Sequence, residues 1–374
     1  MKLNWLPLLF LSACTTEITH GVFPNLHETS DGKIAMIYTK DTEDGNALIL
    51  NDNEIASGAD WVVNWADFPS AVEYSPGKLA AHYLVMTDPE NFAYDIQIIT
   101  SDDAGQTWNP PLTPHTDQTL TEHGFVSMAG VNGDLLVVWL DGRNYAHGED
   151  RMELRGALIS NNTIKHEYLI DDNVCSCCGT EITSNSDKIF LVYRDRYPGE
   201  MRDMSLVTYD INSLSWNNPK RIHQDGWSIA GCPVNGPAID ADSQNLSIAW
   251  YTELEGTPTI YLTNSPDEGA TFSEPQTVNE GYPLGRVDLE LLNGSTYISY
   301  METDGSENSG IYLRHHNGTT FNPPTHIGST SSSRASGFPK IKNAPGNPDA
   351  LILSYTKVYN SEKAPEIIVE KVGI

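Results

Sequence analysis

The chain is predicted to be all-β, a β-propeller of four-stranded blades with seven repeats. Three observations carry this expectation. Helical apolar periodicity is scarce, while short alternating runs recur at Lys33–Tyr38, Leu135–Trp139, Ile189–Tyr193, Leu246–Trp250 and Thr296–Tyr300. Seven segments open alike, at Phe23-Pro-Asn-Leu, Phe68-Pro-Ser-Ala, Phe125-Val-Ser-Met, Cys178-Gly-Thr-Glu, Gly236-Pro-Ala-Ile, Arg286-Val-Asp-Leu and Phe338-Pro-Lys-Ile. Their spacing of 45 to 58 residues is that of propeller blades. Finally, two octapeptides 164 residues apart, Ser101-Asp-Asp-Ala-Gly-Gln-Thr-Trp108 and Ser265-Pro-Asp-Glu-Gly-Ala-Thr-Phe272, share one turn pattern.

Each unit follows the same order. The opening is followed by a turn rich in Gly, Asn or Asp, then an apolar strand often ending in Trp or Tyr, a third strand, a turn and a fourth strand. The octapeptides fill the last turn of the second and fifth units. Asp103 or Asp267 is expected to cap backbone N–H groups, Gly105 or Gly269 to supply a positive φ, and the aromatic residue to pack beneath. Asp210–Trp216 and Asn317–Phe321 read as eroded copies in the fourth and sixth units. The seventh unit shows only three strands, Lys340–Asn343, Ala350–Lys357 and Glu366–Val372. Residues around Glu17–Val22 are expected to add its fourth, closing the ring and removing exposed edges.

The 50 acidic and 22 basic residues give a formal net charge of −28, which argues against nucleic acid or an anionic membrane surface as a general partner. At the N-terminus, Lys2 precedes the apolar run Leu3–Leu11 and then Leu11-Ser-Ala-Cys14. That ending resembles a bacterial lipobox, which would make residues 1–13 a lipoprotein signal peptide and Cys14 the acylated residue. An ordinary cleaved signal with an incidental cysteine is the alternative. Residues 14–22 then form the anchored N-terminus and ring-closing strand, and 23–374 the propeller. The run is too short to span a bilayer. The expected address is export with a lipid anchor in the outer membrane, the membrane being touched only through that anchor.

In such a ring the blade-to-blade loops and the strand-two-to-three loops share one face, opposite the octapeptide turns. The chemistry-bearing residues fall on those loops. They include Asn64-Trp-Ala-Asp67, Thr121-Glu-His-Gly124, Cys175-Ser-Cys-Cys178, Asp225–Asn235, Leu284-Gly-Arg286 and Arg334-Ala-Ser-Gly337. The others are Asp141-Gly-Arg143, Arg194-Asp-Arg196 with Glu200 and Arg202, Glu253 and Glu302. Arginine crowding in a base-poor chain suits two-point binding of carboxylates. Each arginine equally suits an ion pair that stitches loops together, and Asp67 and Glu302 suit turn caps or loop bridges.

The octapeptides resemble the Asp-box, or BNR repeat, of sialidases and related propellers. The resemblance extends over roughly residues 20–374 through Asn64–Pro69, Glu122–Phe125, Trp139–Arg143, Cys175–Cys178 and Gly231–Pro237. These segments are similar to those of uncharacterised bacterial sialidase-like proteins. Sialidases have six blades, so a six-bladed ring is the alternative count. The resemblance implies an exo-glycoside hydrolase with three arginines on the substrate carboxylate, a tyrosine nucleophile activated by a glutamate, and an aspartic acid/base. Carried over by position, Arg286, Arg334 and one of Arg194 or Arg202 form the clamp, with Arg143 on the same face. Asp67 is the acid/base, and Glu253 or Glu302 accompanies a tyrosine. The chain departs from the pattern at Phe23-Pro-Asn-Leu26, where sialidases carry Phe-Arg-Ile-Pro, and no tyrosine stands out as nucleophile.

Setting Cys14 aside, Cys175, Cys177, Cys178 and Cys232 remain. An even number in an exported chain suits disulfides. A bridge within the triplet would be strained, and the alternative is a soft-metal site for Cu(I) or Zn²⁺, with His123 or His223 as further ligands. Redox-active thiols are the third reading. Three functions follow as expectations: a sialidase-like hydrolase acting on acidic sugars at the cell envelope, a non-catalytic propeller binding carbohydrate or an envelope protein, and a metal-handling lipoprotein.

Overall fold

The structure, a computed structural model, describes residues 16–359 and 362–374. The signal segment and Cys14 lie outside the described residues. Seven antiparallel sheets form the ring, each with its first strand innermost. The first blade runs through Val22–Glu28, Ile34–Thr42, Gly45–Leu50 and Asn53–Gly58. The second has Ala71–Ser75, Lys78–Asp88 and Ala93–Ser101. Its outer edge is a lone bridge between Ile98 and Leu112 rather than a regular strand. The third comprises His123–Val131, Asp134–Asp141, Met152–Ser160 and Thr163–Val174; the fourth Glu181–Ser184, Lys188–Arg194, Met204–Asp210 and Ser215–Trp216, with Lys220–Arg221 also pairing to its third strand. The fifth is Ala238–Asp242, Asn245–Leu254, Thr257–Ser265 and Gln276–Thr277, and the sixth Tyr282–Leu292, Ser295–Thr303, Asn308–His316 and Thr325–Ser331. Six of the seven expected openings fall within three residues of the start of an inner strand, and Arg286 lies inside Tyr282–Leu292.

The seventh blade joins the two ends of the chain. Lys340–Asn343, Ala350–Lys357 and Glu366–Gly373 take Thr16–His20 as their outermost strand, Thr16 opposite Glu370 and His20 opposite Glu366. A ring closed this way has no sheet edge at the joint. The core lies in the slices between blades, where apolar second and third strands of neighbours interdigitate. Trp139 and Trp250 occupy equivalent second-strand positions, both fully buried, and each indole N–H donates to a carboxylate, Asp141 and Asp225 respectively.

Both Asp-box turns form as expected. The Ser101 hydroxyl accepts the Gly105 N–H at 2.9 Å, while Asp103 accepts the Thr107 N–H and hydroxyl at 2.8 and 2.7 Å. Ser265, Asp267, Gly269 and Thr271 repeat the same bonds. Gly105 and Gly269 have φ of +84° and +83°, which an L side chain resists. Asp210 and Asn317 cap shorter versions in the fourth and sixth blades.

Inner strands diverge at the axis and cannot pair with one another, so side chains clasp their backbones instead. Asp240 accepts the Leu291 N–H, Asp288 that of Ile341, Glu290 that of Asn343, and His27 that of Glu73. Lys340 and Lys342 balance this acidic lining. Between these strands runs a central channel of about 530 Å³.

Candidate functional site

Three inner strands carry a residue at positive φ, namely Phe23 (+55°), Phe125 (+56°) and Arg286 (+56°), at a bulge in the ladder. The freed N–H at each bulge is bonded across to another blade. Phe125 donates to Asp67 Oδ1 at 2.7 Å, Arg286 to Asn235 Oδ1 at 2.8 Å, and Phe23 to the Thr356 hydroxyl at 2.9 Å. Asp67 and Asn235 therefore do the same work in different loops. A Cβ on Gly124 would stand 2.1 Å from Asp67, and one on Gly285 2.3 Å from Asn235, so glycine is what lets each clasp close.

Asp67 lines the channel, is 3 % exposed, and takes the Tyr94 hydroxyl on its second oxygen at 3.2 Å. Burial pushes its carboxyl up to about 7, the range of a general acid, while both oxygens are engaged in holding loops. Glu302 is likewise placed as a clasp, accepting the N–H groups of Glu280 and Gly281.

The arginines divide into three kinds. Arg143, Arg196 and Arg202 face acids. Arg143 grips Asp141 with two nitrogens at 2.8 and 2.7 Å and reaches Glu167, while Arg196 and Arg202 share Glu200. Arg194 and Arg286 are buried and held by backbone carbonyls: Asn235, Arg202 and Tyr251 for the first, Ser332, Ser333 and Gly337 for the second. Arg334 is exposed and makes no ion pair among the described residues. It and Arg286 both lie over the ring of half-buried Trp65, at 5.7 and 4.9 Å from its centroid. Burial and the Arg334 charge bring the Arg286 guanidinium down to about 10. Trp65 stacks on Phe338 and adjoins the channel-lining residues Ala66, Asp67 and Phe68 at the mouth of the ring.

Glu253, expected to accompany a tyrosine, has Tyr251 as its partner, a tyrosine that was not singled out in the sequence. The Tyr251 hydroxyl donates to Glu253 at 3.0 Å, Tyr251 packs edge-on against Trp227, and its carbonyl accepts from Arg194. Burial and the Glu253 charge raise its phenol. The spacing of two along one strand, which puts both side chains on one face, was the available signal. Asn235 links this pair to the Trp65 cluster, since its carbonyl holds Arg194 and its side chain holds the Arg286 backbone.

The cysteines separate. The Cys175 sulfur lies 3.6 Å from that of Cys178 and 3.9 Å from that of Cys177, whereas Cys232 is exposed and outside the group. Hydrogen bonding with Cys177 and Cys178, with Arg194 near, holds the Cys175 thiol well below its usual range, and burial pushes Cys178 up to about 12. His223 instead bonds Asp225. His123 stacks on His115 beside Asp95, Asp117 and Asp141, and burial, which would lower it, is outweighed by Asp117 and Asp95 so that it rises to about 9. The sequence reading missed His115, Asp95 and Asp117.

Fold and mouth together define a seven-bladed Asp-box propeller whose polar face is opposite its Asp-box turns. No family model and no curated protein sequence matches the chain. Solved structures share its fold. An ulvan lyase, a polysaccharide lyase, superposes with a TM-score of 0.62 at 11 % identity over 96 % of this chain and 94 % of its own. A lectin from Burkholderia pseudomallei gives 0.59 at 11 % identity over 91 % of each chain. The intramolecular trans-sialidase from Ruminococcus gnavus gives 0.51 at 11 % identity over 82 % and 94 %. The chain thus shares the β-propeller architecture of these proteins, with seven blades rather than the six that were the alternative count.

Proposed function

We propose that this protein is a carbohydrate-active propeller that takes an acidic saccharide at its mouth face, in the manner of a sialidase-like exo-glycoside hydrolase. The observation that carries the reading is Arg334, an exposed guanidinium with no ion-pair partner among the described residues of a strongly acidic chain, set beside the Trp65 ring. An aromatic plane takes the face of a sugar while a free guanidinium takes its carboxylate. In support, the fold occurs in an ulvan lyase bound to a disaccharide repeat of GlcA and Rha3S and in a sialidase bound to oseltamivir carboxylate. In hydrolysis the Tyr251 oxygen would bond to the anomeric carbon as Glu253 takes its proton. The glycosidic bond would break with Asp67 protonating the leaving oxygen through an oxocarbenium-like transition state, and water would then release the sugar from Tyr251.

A binding-only role is the second reading. It is favoured because Arg194 and Arg286 spend their hydrogen bonds on carbonyls, leaving Arg334 alone of the expected clamp facing outward. Calorimetric titration with sialylated and glucuronate oligosaccharides, alongside release of 4-methylumbelliferone from its sialoside, separates the readings. Binding lost in Arg334→Ala with turnover supports hydrolysis, and binding without turnover supports the second role. No binding to either class refutes both. We further propose that Cys14 is acylated and holds the protein at the outer membrane, to be checked by incorporation of labelled fatty acid into the wild type and not into Cys14→Ser.

A further inference from the structure

Between the second and third blades lies a group of side chains that the carbohydrate reading does not use. Asp95 stands on Ala93–Ser101, His115 on the loop to the third blade, and His123 opens His123–Val131. The two imidazoles lie face to face, 3.7 Å between centroids and 9° from parallel. Nε2 of His115 and Nδ1 of His123 both face Asp95 Oδ1, at 3.5 and 3.2 Å. Among the described residues neither nitrogen makes a well-aligned hydrogen bond, Asp95 being within ion-pair distance only, although the side chains are only 3 % and 0 % exposed. Buried ring nitrogens are rarely left so, because each forfeits its hydration.

The opposite nitrogens are both engaged by one carboxylate. His115 Nδ1 lies 3.0 Å from Asp117 Oδ1, and His123 Nε2 lies 3.2 Å from Asp117 Oδ2. Asp117 is fixed in turn by Arg143 at 3.3 Å and by the Thr119 hydroxyl. When each ring is neutral and donates its N–H to Asp117, the inward nitrogens carry lone pairs in nearly parallel planes, both on the side of Asp95 Oδ1, so that a small tilt of the rings is what aims both at one ion. A single proton relieves only one of them, and two imidazolium rings stacked at this distance repel. A cation relieves both and Asp95 together.

The geometry points to a divalent-cation site formed by Asp95, His115 and His123, with Asp117 orienting both histidines from behind. Tetrahedral ligands about 2.0–2.1 Å from Zn²⁺ stand about 3.3 Å apart. The observed 3.5 and 3.2 Å bracket that separation, and the three ligand atoms lie within 4.8 Å of one another. Two imidazoles and a carboxylate suit Zn²⁺ and its first-row neighbours, whereas thiolates suit Cu(I). Carboxylate-backed histidines are the usual support of such ions. Asp95 is 28 % exposed, which gives an entry path and leaves a fourth position for water. This site depends neither on the saccharide reading nor on Cys175–Cys178.

The test is titration of the full chain, stripped by chelator dialysis, with Co²⁺ followed by absorbance. The expected result is a weak visible ligand-field band without the intense near-ultraviolet band of thiolate–cobalt bonds, displaced by Zn²⁺. Cys178→Ser should leave it intact. Asp95→Asn, at a partly exposed position, should weaken binding at least tenfold, and Asp117→Asn ~10–100-fold. Matching thermal melts of Asp95→Asn and wild type show that the variant is folded. The proposal is overturned when the wild type gives no such band, or when folded Asp95→Asn binds Co²⁺ as tightly as wild type.

Discussion

Replacing Asp67 by asparagine should stabilise the protein at alkaline pH and leave it unchanged in acid. The Asp67 carboxyl rises from an ordinary 3.8 to about 7 because it is 3 % exposed and no cation bonds it. The folded state therefore holds its proton more tightly than the unfolded chain does. Its contribution is complete below about pH 4 and is lost as the pH climbs through about 7. The interval corresponds to about 4 kcal/mol. Asparagine keeps an oxygen for the Phe125 N–H, as Asn235 does for Arg286, and has no charge to bury. Urea melts of both proteins at pH 4, 6 and 8 should coincide at pH 4 and separate progressively, the variant gaining up to about 4 kcal/mol at pH 8. Parallel curves, or a variant weaker at pH 8, would refute the reasoning and show a carboxylate stabilised as the anion. Loss of sialoside turnover in a stabilised Asp67→Asn would mark the same group as the acid of catalysis.

Four other outcomes are expected. Gly269→Ala should cost more than Gly105→Ala in denaturant melts. Both force alanine to positive φ, about 1–2 kcal/mol, but the new methyl meets Leu206 at 2.3 Å in the first and Leu79 at 3.2 Å in the second, adding about 1–3 kcal/mol of overpacking. Arg286→Ala should lower stability by about 3 kcal/mol or more, since three loop carbonyls lose their donor, whereas Arg334→Ala should stay within about 0.5 kcal/mol and instead weaken acidic-saccharide binding ~10–100-fold. Removing residues 16–20 should lower the melting point and promote association, because about five ladder bonds worth ~0.5–1.5 kcal/mol each are lost and an edge is exposed. In native alkylation followed by peptide mapping, exposed Cys232 should react first and buried Cys178 last; equal rates would contradict the packing of the triplet.

The ring was legible because its repeat is written in local chemistry. Phe23, Phe125 and Phe338 mark inner-strand starts, and Ser101–Trp108 and Ser265–Phe272 satisfy their own turn donors, so neither needs distant partners to be recognised. The fourth strand expected in the second blade is reduced to a single bridge between Ile98 and Leu112, since the residues after Trp108 carry no alternation. The site was legible as a face but not as contacts. Arg194 and Arg286 look in sequence like ligands for acids, and only the fold shows that carbonyls absorb them. Asp95 and His115 come from a strand and a loop with no motif between them, so their convergence on His123 is a product of blade packing alone.

The closing strand also fixes which way the molecule points. Thr16–His20 runs outward along the seventh blade, so His20 arrives at the mouth and Thr16 begins on the side of the Asp-box turns. The chain thus enters the ring from the face opposite Trp65 and Arg334. An acyl group on Cys14, as proposed, would act as a short tether beneath the disc. It would lay the Asp-box turns toward the bilayer and hold the mouth away from it, open to polymers too large to slip between protein and membrane.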